Sequence, residues 1–307
     1  MSQPSERPHA NRSRFQTAQP AVIAHRGFAG VYPENTVGAV REAAGAPSSP
    51  TLEIDVRPTA DGEIVVFHDD TPARLTDAPP DVSDRPLWEL PYATLESLEV
   101  LGSGEGIPRL TEVLDAIPAD VRVNVEFKHP GTDEVRFAEN LPATEREAAR
   151  DRWLGFATEV LETVDRSPND VFVSSFFEGA LAAVREVDPT VPVAWIFYES
   201  VEDDLAVARR YDCEAIHPPW SMFPDTSMFN EAYTGNEPYA EVDLVGIAAE
   251  EAREVNAWTV DTWHQATELG QAGVDGIITD YPGLYRYGAP EGGSVGNAGQ
   301  SPSSATE

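Results

Sequence analysis

Short apolar runs rich in β-branched residues return along this chain with room for about one helix between most of them. Ala21–Ala24, Leu52–Val56, Val121–Phe127, Val171–Ser174, Val193–Phe197, Ala215–His217, Ala257–Val260 and Val274–Thr279 read as strands. Helical patterns fall between them. One runs through Val37, Val40 and Ala43-Ala44 behind a cap at Asn35 or Thr36. Another follows Thr111 to Ile117, with Thr111 as its cap. A long one, about Glu145 to Val164, carries Trp153, Phe156, Val160, Leu161 and Val164 on one stripe. Further helices are expected over Glu178–Val187, Val201–Tyr211, Val242–Val255 and His264–Ala272. Parallel strands joined by helices need both sheet faces covered, and eight such units predict an α/β fold, a TIM (β/α)8 barrel. No glycine-rich phosphate turn follows the first strand, which disfavours a doubly wound dinucleotide fold.

Two interruptions are visible. Asp61-Gly62 is a turn signal between Leu52–Val56 and the return run Ile64–Phe67, so a small hairpin is inserted after the second strand. Pro218 to Asp243 is a long loop after the sixth strand, with Trp220, Phe223, Phe229, Tyr233 and Tyr239. A short helix is expected around Leu87 to Leu98. Residues 1–20 are polar and residues 288–307 are rich in Gly and Ser; both read as disordered, leaving 21–287 as one domain.

Charge narrows the partners. Lys and Arg number 21 against 53 Asp and Glu, a formal net charge of -32. Such a surface repels nucleic acid and anionic membranes, so neither is an expected partner. The acids are spread along the helices and loops, which fits a folded surface adapted to high salt. Cys213 is the only cysteine, there is no apolar leader segment, and no run reaches membrane-spanning length. A cytoplasmic protein is the expectation.

The chemistry is concentrated near strand ends. Glu53 and Asp55 are two apart on a strand and share a face, an arrangement that needs positive charge beside it. His25-Arg26 ends the first strand, Glu126 and Lys128 the third, and His68 the hairpin's return arm. A barrel would bring these groups to one mouth. Three carboxylates there suit a hard divalent cation, Mg²⁺ or Ca²⁺. Zinc is disfavoured, because no Cys/His ligand spacing accompanies them. The competing reading is a network in which Arg26 and Lys128 neutralise the acids without a metal.

In order, His25-Arg26-Gly27, Pro33-Glu34-Asn35-Thr36, Glu53-x-Asp55, His68-Asp69, Glu126-x-Lys128 and Gly276-Ile277-Ile278-Thr279-Asp280-Tyr281-Pro282 resemble the glycerophosphodiester phosphodiesterase family, barrel enzymes related to phosphatidylinositol-specific phospholipase C. The resemblance spans about Ala21 to Tyr287. It implies metal-dependent hydrolysis of glycerophosphodiesters to glycerol 3-phosphate and an alcohol. It implies that His25 and His68 are the acid–base pair, that Glu53, Asp55 and Glu126 bind one divalent cation, and that Arg26 and Lys128 contact the phosphate. Trp258 looks like the family's aromatic wall. The attacking oxygen is water or the substrate's own glycerol hydroxyl. Two rival readings are a phospholipase C or D relative acting on intact lipid and a non-catalytic phosphoester-binding barrel. Among the other histidines, His217 is a minor pocket candidate, and His129 and His264 have no expected role.

Overall fold

The computed structural model describes residues 19–46, 51–132, 134–230 and 242–284. The strands are β1 (Ala21–Ala24), β2 (Thr51–Pro58), β3 (Ile64–Val66), β4 (Arg122–Phe127), β5 (Val171–Ser175), β6 (Val193–Ile196), β7 (Ala215–His217), β8 (Glu254–Ala257) and β9 (Gly276–Thr279). All pair in parallel except β3, which returns antiparallel along the end of β2 with Val56 opposite Val66. β1 pairs with both β2 and β9, so the eight parallel strands close into a barrel. The helices are α1 (Val37–Ala44), α2 (Tyr92–Leu95), α3 (Leu110–Ala116), α4 (Arg146–Val164), α5 (Glu178–Val187), α6 (Val201–Arg210), α7 (Leu244–Glu250) and α8 (Trp263–Ala272). None is long and apolar enough to cross a membrane. The predicted leader lies outside the described residues apart from 19 and 20, and the predicted tail lies wholly outside them.

Alternation along each strand sorts the side chains. On β4, Val123, Val125 and Phe127 face the helices, and the Phe127 ring meets Trp153 at 6.5 Å and Phe156 at 5.1 Å. Arg122, Asn124 and Glu126, the alternate residues, face the barrel axis. At the far end from the mouth, Arg122 donates to Glu254 at 3.2 Å, and its guanidinium covers the Phe172 ring at 4.3 Å.

Four elements differ from expectation. β8 starts at Glu254 and ends at Ala257, not Ala257 to Val260. Its inward residues, Glu254 and Asn256, are polar, so the apolar pattern that marks a strand is missing. α7 stops at Glu250, because Ala252 takes a positive φ of 57° and the chain turns into β8. α3 starts at Leu110 with Arg109 as its N-cap, not Thr111; the Glu112 carboxylate accepts the Arg109 N–H at 2.8 Å. Leu87 to Leu98 is not one helix. Pro86 and Pro91 each restart the backbone, giving a 3-10 turn at Leu87–Glu89 and then the single turn α2. These pieces cover a second small core of Val65, Phe67, Leu75, Leu87, Leu90, Tyr92, Leu95, Leu98, Val100 and Ile107. The insertion after β2 is therefore a packed subunit of the fold, larger than a hairpin.

Candidate active site

The C-terminal ends of the strands surround a cavity of about 560 Å3. His25, Arg26, Glu53, His68, Glu126, Lys128 and Trp258 all line it. Asp55, fully buried, sits beside Lys128 and Arg26. The structure thus brings together the candidate acid–base, metal-binding and phosphate-binding residues and Trp258.

The turn after β1 is unusual backbone. Arg26, Gly27 and Phe28 have φ of 51°, 75° and 65°. A Cβ at Gly27 would lie 3.0 Å from the backbone of Ala39, so glycine is required there. The turn directs the Arg26 N–H to Glu53 Oε2 at 2.9 Å. Asn35, also at positive φ, donates from Nδ2 to Asp55 Oδ2 at 2.8 Å. Such backbone is held in place by its surroundings and concentrates at functional sites.

Glu53, Asp55 and Glu126 each offer an oxygen, and these atoms all lie within 4.8 Å of one another. Lys128 Nζ donates to Glu126 Oε1 at 2.7 Å and lies 3.5 Å from Asp55 Oδ1. Arg26 Nε lies 3.3 Å from Asp55 Oδ2. Arg26 and Lys128 thus do pair with the acids, but incompletely. Glu53 Oε1 and Asp55 Oδ1 are buried and accept no hydrogen bond from the described residues. Burial, then the charges of Asp55 and Glu126, push the Glu53 carboxyl well above the usual carboxylate range. Burial also disfavours the Asp55 anion, yet Lys128 and Arg26 hold that carboxyl far below the usual range. Three converging carboxylates with spare buried oxygens, one of them resisting ionisation for want of positive charge, fit a divalent cation.

Both histidines are oriented by aspartates. His25 Nδ1 lies 2.6 Å from Asp280 Oδ1, and His68 Nδ1 lies 2.6 Å from Asp69 Oδ1. With Nδ1 protonated, each aspartate accepts that proton and each Nε2 stays outside the pair. His25 Nε2 is 4.0 Å from Glu53 Oε2. Asp69 is clamped by Arg74 Nε at 2.6 Å and Nη2 at 2.7 Å. Arg74 also donates to Glu34 at 2.9 and 3.2 Å, and Arg26 Nη1 reaches the same Glu34 at 2.9 Å. One chain of ion pairs therefore connects His68, Asp69, Arg74, Glu34, Arg26 and Asp55. Arg57 Nε holds the His68 carbonyl at 2.9 Å, and Arg57 Nη1 pairs with Asp70 at 2.6 Å.

Trp258 stands just past β8, and its Nε1 donates to the His217 carbonyl at 2.6 Å. Its ring meets Phe176 edge-on at 5.5 Å. Phe137, Phe176, Phe177 and Tyr198 extend this wall around the mouth. Trp258 is the wall residue expected from the sequence; the aromatic-rich loop after β7 contributes less to it. The Phe223 side chain of that loop is in the main core, and Tyr233 and Tyr239 lie outside the described residues. His217 lines the cavity floor, as a minor candidate should. His129 lines it too, stacked on Trp88 at 4.1 Å and accepting the Gly131 N–H at 3.1 Å. His264 is away from the cavity, beside Ser227.

Reasoning from sequence missed the roles of Glu34, Asp69, Arg74 and Asp280, and missed Phe137 and Tyr198 entirely. Asp69 and Asp280 stood inside recognised motifs next to candidate groups. Phe137 and Tyr198 carried no signal, because the loops after β4 and β6 have no periodic pattern.

The sequence profile of the Glycerophosphoryl diester phosphodiesterase family matches residues 25–284. A glycerophosphodiester phosphodiesterase of Caldanaerobacter subterraneus subsp. tengcongensis is 30% identical over 274 residues, covering 85% of this chain and 94% of its own. One from Bacillus altitudinis is 26% identical over 267 residues, covering 85% of this chain and 94% of its own. Among solved structures, an Oleispira antarctica phosphodiesterase in complex with the product sn-glycerol-3-phosphate superposes with a TM-score of 0.65 at 26% identity, covering 86% of this chain and 94% of its own. The match runs from the turn that carries His25 to the residues just past Asp280, and so takes in every strand end that lines the cavity: this chain belongs to the glycerophosphoryl diester phosphodiesterase family.

Proposed function

We propose that this protein hydrolyses glycerophosphodiesters to glycerol 3-phosphate and an alcohol, by proton transfer through His25 and His68 at a site that binds one divalent cation, Mg²⁺ or Ca²⁺. The observation that carries the reading is the convergence on one cavity of two histidines, each tied through Nδ1 to an aspartate, around three buried carboxylates. Glu53, Asp55 and Glu126 are the residues that would hold the cation, which when bound supplies positive charge against the phosphodiester anion.

The residues divide the remaining work. Arg26 and Lys128 face the cavity as cations and offset the charge that grows on the phosphoryl oxygens. His25 takes the proton of the attacking oxygen at Nε2 as the new P–O bond forms. His68 gives its Nε2 proton to the alcohol oxygen as the old P–O bond breaks. One proton is taken and one is given, so a water added across the ester balances the reaction. Trp258 and its aromatic neighbours exclude water from one side of the cavity.

A second reading, action on a lipid with one acyl chain, draws support from the apolar wall, where Phe137 and Tyr198 remain 45% and 40% exposed. The net charge of -32 opposes docking to an anionic bilayer. The test is a panel of soluble glycerophosphodiesters and one lysophospholipid, each with Mg²⁺ or Ca²⁺, read as released glycerol 3-phosphate or its acylated counterpart. Turnover of the soluble diesters is expected. Turnover of the lysophospholipid alone favours the second reading, and no turnover of any member supports a binding barrel.

A further inference from the structure

Barrels of this kind are normally filled with branched apolar side chains. Below its carboxylates this one sets polar groups among apolar ones such as Phe172, Ala194 and Ile278. Asn124, Ser174 and His217 face inward from β4, β5 and β7, are at most 1% exposed, and form part of the cavity floor. Asn124 Nδ2 and Oδ1, Ser174 Oγ and His217 Nδ1 have no hydrogen-bond partner among the described residues. His217 Nε2 meets Asn256 Nδ2 at 3.2 Å. Buried polar atoms are normally paired, so a set left open toward a cavity calls for a partner there. The proton transfers proposed above use none of these atoms.

Their placement and chemistry point the same way. Asn124 is the cross-strand neighbour of Glu53, and Ser174 that of Glu126. A ligand held at the carboxylates is therefore within one side chain of the floor. The floor atoms are those of an amide, a hydroxyl and an imidazole. Burial pushes His217 down to about 3, so its ring is neutral at working pH. Neutral groups that both donate and accept match alcohol hydroxyls; a phosphate would call for cations, which stand higher, at Arg26 and Lys128.

We infer that Asn124, Ser174 and His217 form a subsite for the free hydroxyls of the substrate's glycerol moiety. The inference rests on the phosphodiesterase reading and deepens it. The cavity then sorts two alcohols by polarity. Glycerol lies on the polar floor and keeps its ester to phosphorus. The other alcohol lies toward the aromatic mouth. Its P–O bond breaks, and it leaves with a proton.

The test compares two chromogenic diesters with the wild-type protein and its cation. One is the 4-nitrophenyl diester of glycerol 3-phosphate. The other is the same diester built on propane-1,2-diol, which keeps the secondary hydroxyl and lacks only the terminal one. A kcat/KM preference of at least tenfold for the glycerol compound is expected, since a site built for a hydroxyl rejects the analogue that lacks it. Ser174→Ala, which removes a single oxygen, and Asn124→Ala should each shrink that preference severalfold. Equal kcat/KM for the two diesters in the wild type overturns the subsite and leaves the floor to ordered water. So does an undiminished preference in both variants. Hydrolysis of neither diester overturns the phosphodiesterase reading itself, and the subsite with it.

Discussion

At the scale of single residues, the proposed mechanism separates groups that would move protons from groups that would hold charge. His25 and His68 each have one nitrogen committed to an aspartate and one turned to the cavity. Neither is part of the carboxylate cluster. His25→Ala and His68→Ala are therefore expected to lose on the order of 10²–10⁴ in kcat while binding the cation as before. Paired kinetics and cation titration check this, and a variant with near-normal kcat removes that histidine from the mechanism. His217 differs, because burial keeps it neutral with a pKa near 3, against an ordinary histidine value of about 6.5. The unfolded chain binds that proton more readily, so stability is lost as pH falls from about 6.5 toward 3, by up to about 1.4 kcal/mol per pH unit. In His217→Gln the acid side of a stability–pH curve should be flatter by that slope, as read by urea melts at several pH values. An unchanged slope would mean that His217 is already protonated in the folded state.

At the scale of elements, the insertion after β2 has a clear use. It delivers His68, Asp69 and Arg74 to the rim of a barrel whose own strands carry the three converging carboxylates. Arg74 sits in a 3-10 turn, is half exposed, and grips Asp69 and Glu34 at once. Arg74→Gln should lower kcat by roughly tenfold, because His68 loses the clamp on its aspartate. Cation affinity and melting temperature should change little, since an exposed ion pair adds little stability. Equal losses in kcat and cation affinity would instead make Arg74 part of the scaffold of the carboxylates. This is also where the sequence was least legible. Strands with apolar outward faces, such as β4 and β5, stand out by pattern. β8 hid because its inward Glu254 and Asn256 are polar, and it is recognised only by its pairing with β7 and β9. The insertion's core hid because its apolar residues are spread from Val65 to Ile107 without a period. The candidate site was readable because its groups lie within or directly beside recognisable strand ends. The aromatic wall was not, because it lies on irregular loops.

At the scale of the whole molecule, a net charge of -32 must be carried by a surface with few cations. Exposed pairs such as Arg136 with Glu139 and Glu145 offset only a fraction of it. The Debye length shrinks from about 10 Å at 0.1 M salt to about 3 Å at 1 M, so added salt screens the repulsion between neighbouring helices. The melting temperature is expected to rise with KCl into the molar range, while substrate affinity falls modestly as the attraction to Arg26 and Lys128 is screened. A melting temperature that is flat or highest at low salt would remove high-salt adaptation as the reason for the acidic surface. The same balance of charge governs the candidate site, where Arg26 and Lys128 leave the buried oxygens Glu53 Oε1 and Asp55 Oδ1 without a hydrogen bond from the described residues. The most direct measurement is therefore turnover of a glycerophosphodiester by chelated protein, followed by titration with Mg²⁺ or Ca²⁺. Activity should vanish on chelation and return with one cation per chain, and Glu53→Gln should need far more cation for the same rate. Full activity in the chelated protein would show instead that Arg26 and Lys128 neutralise the site on their own.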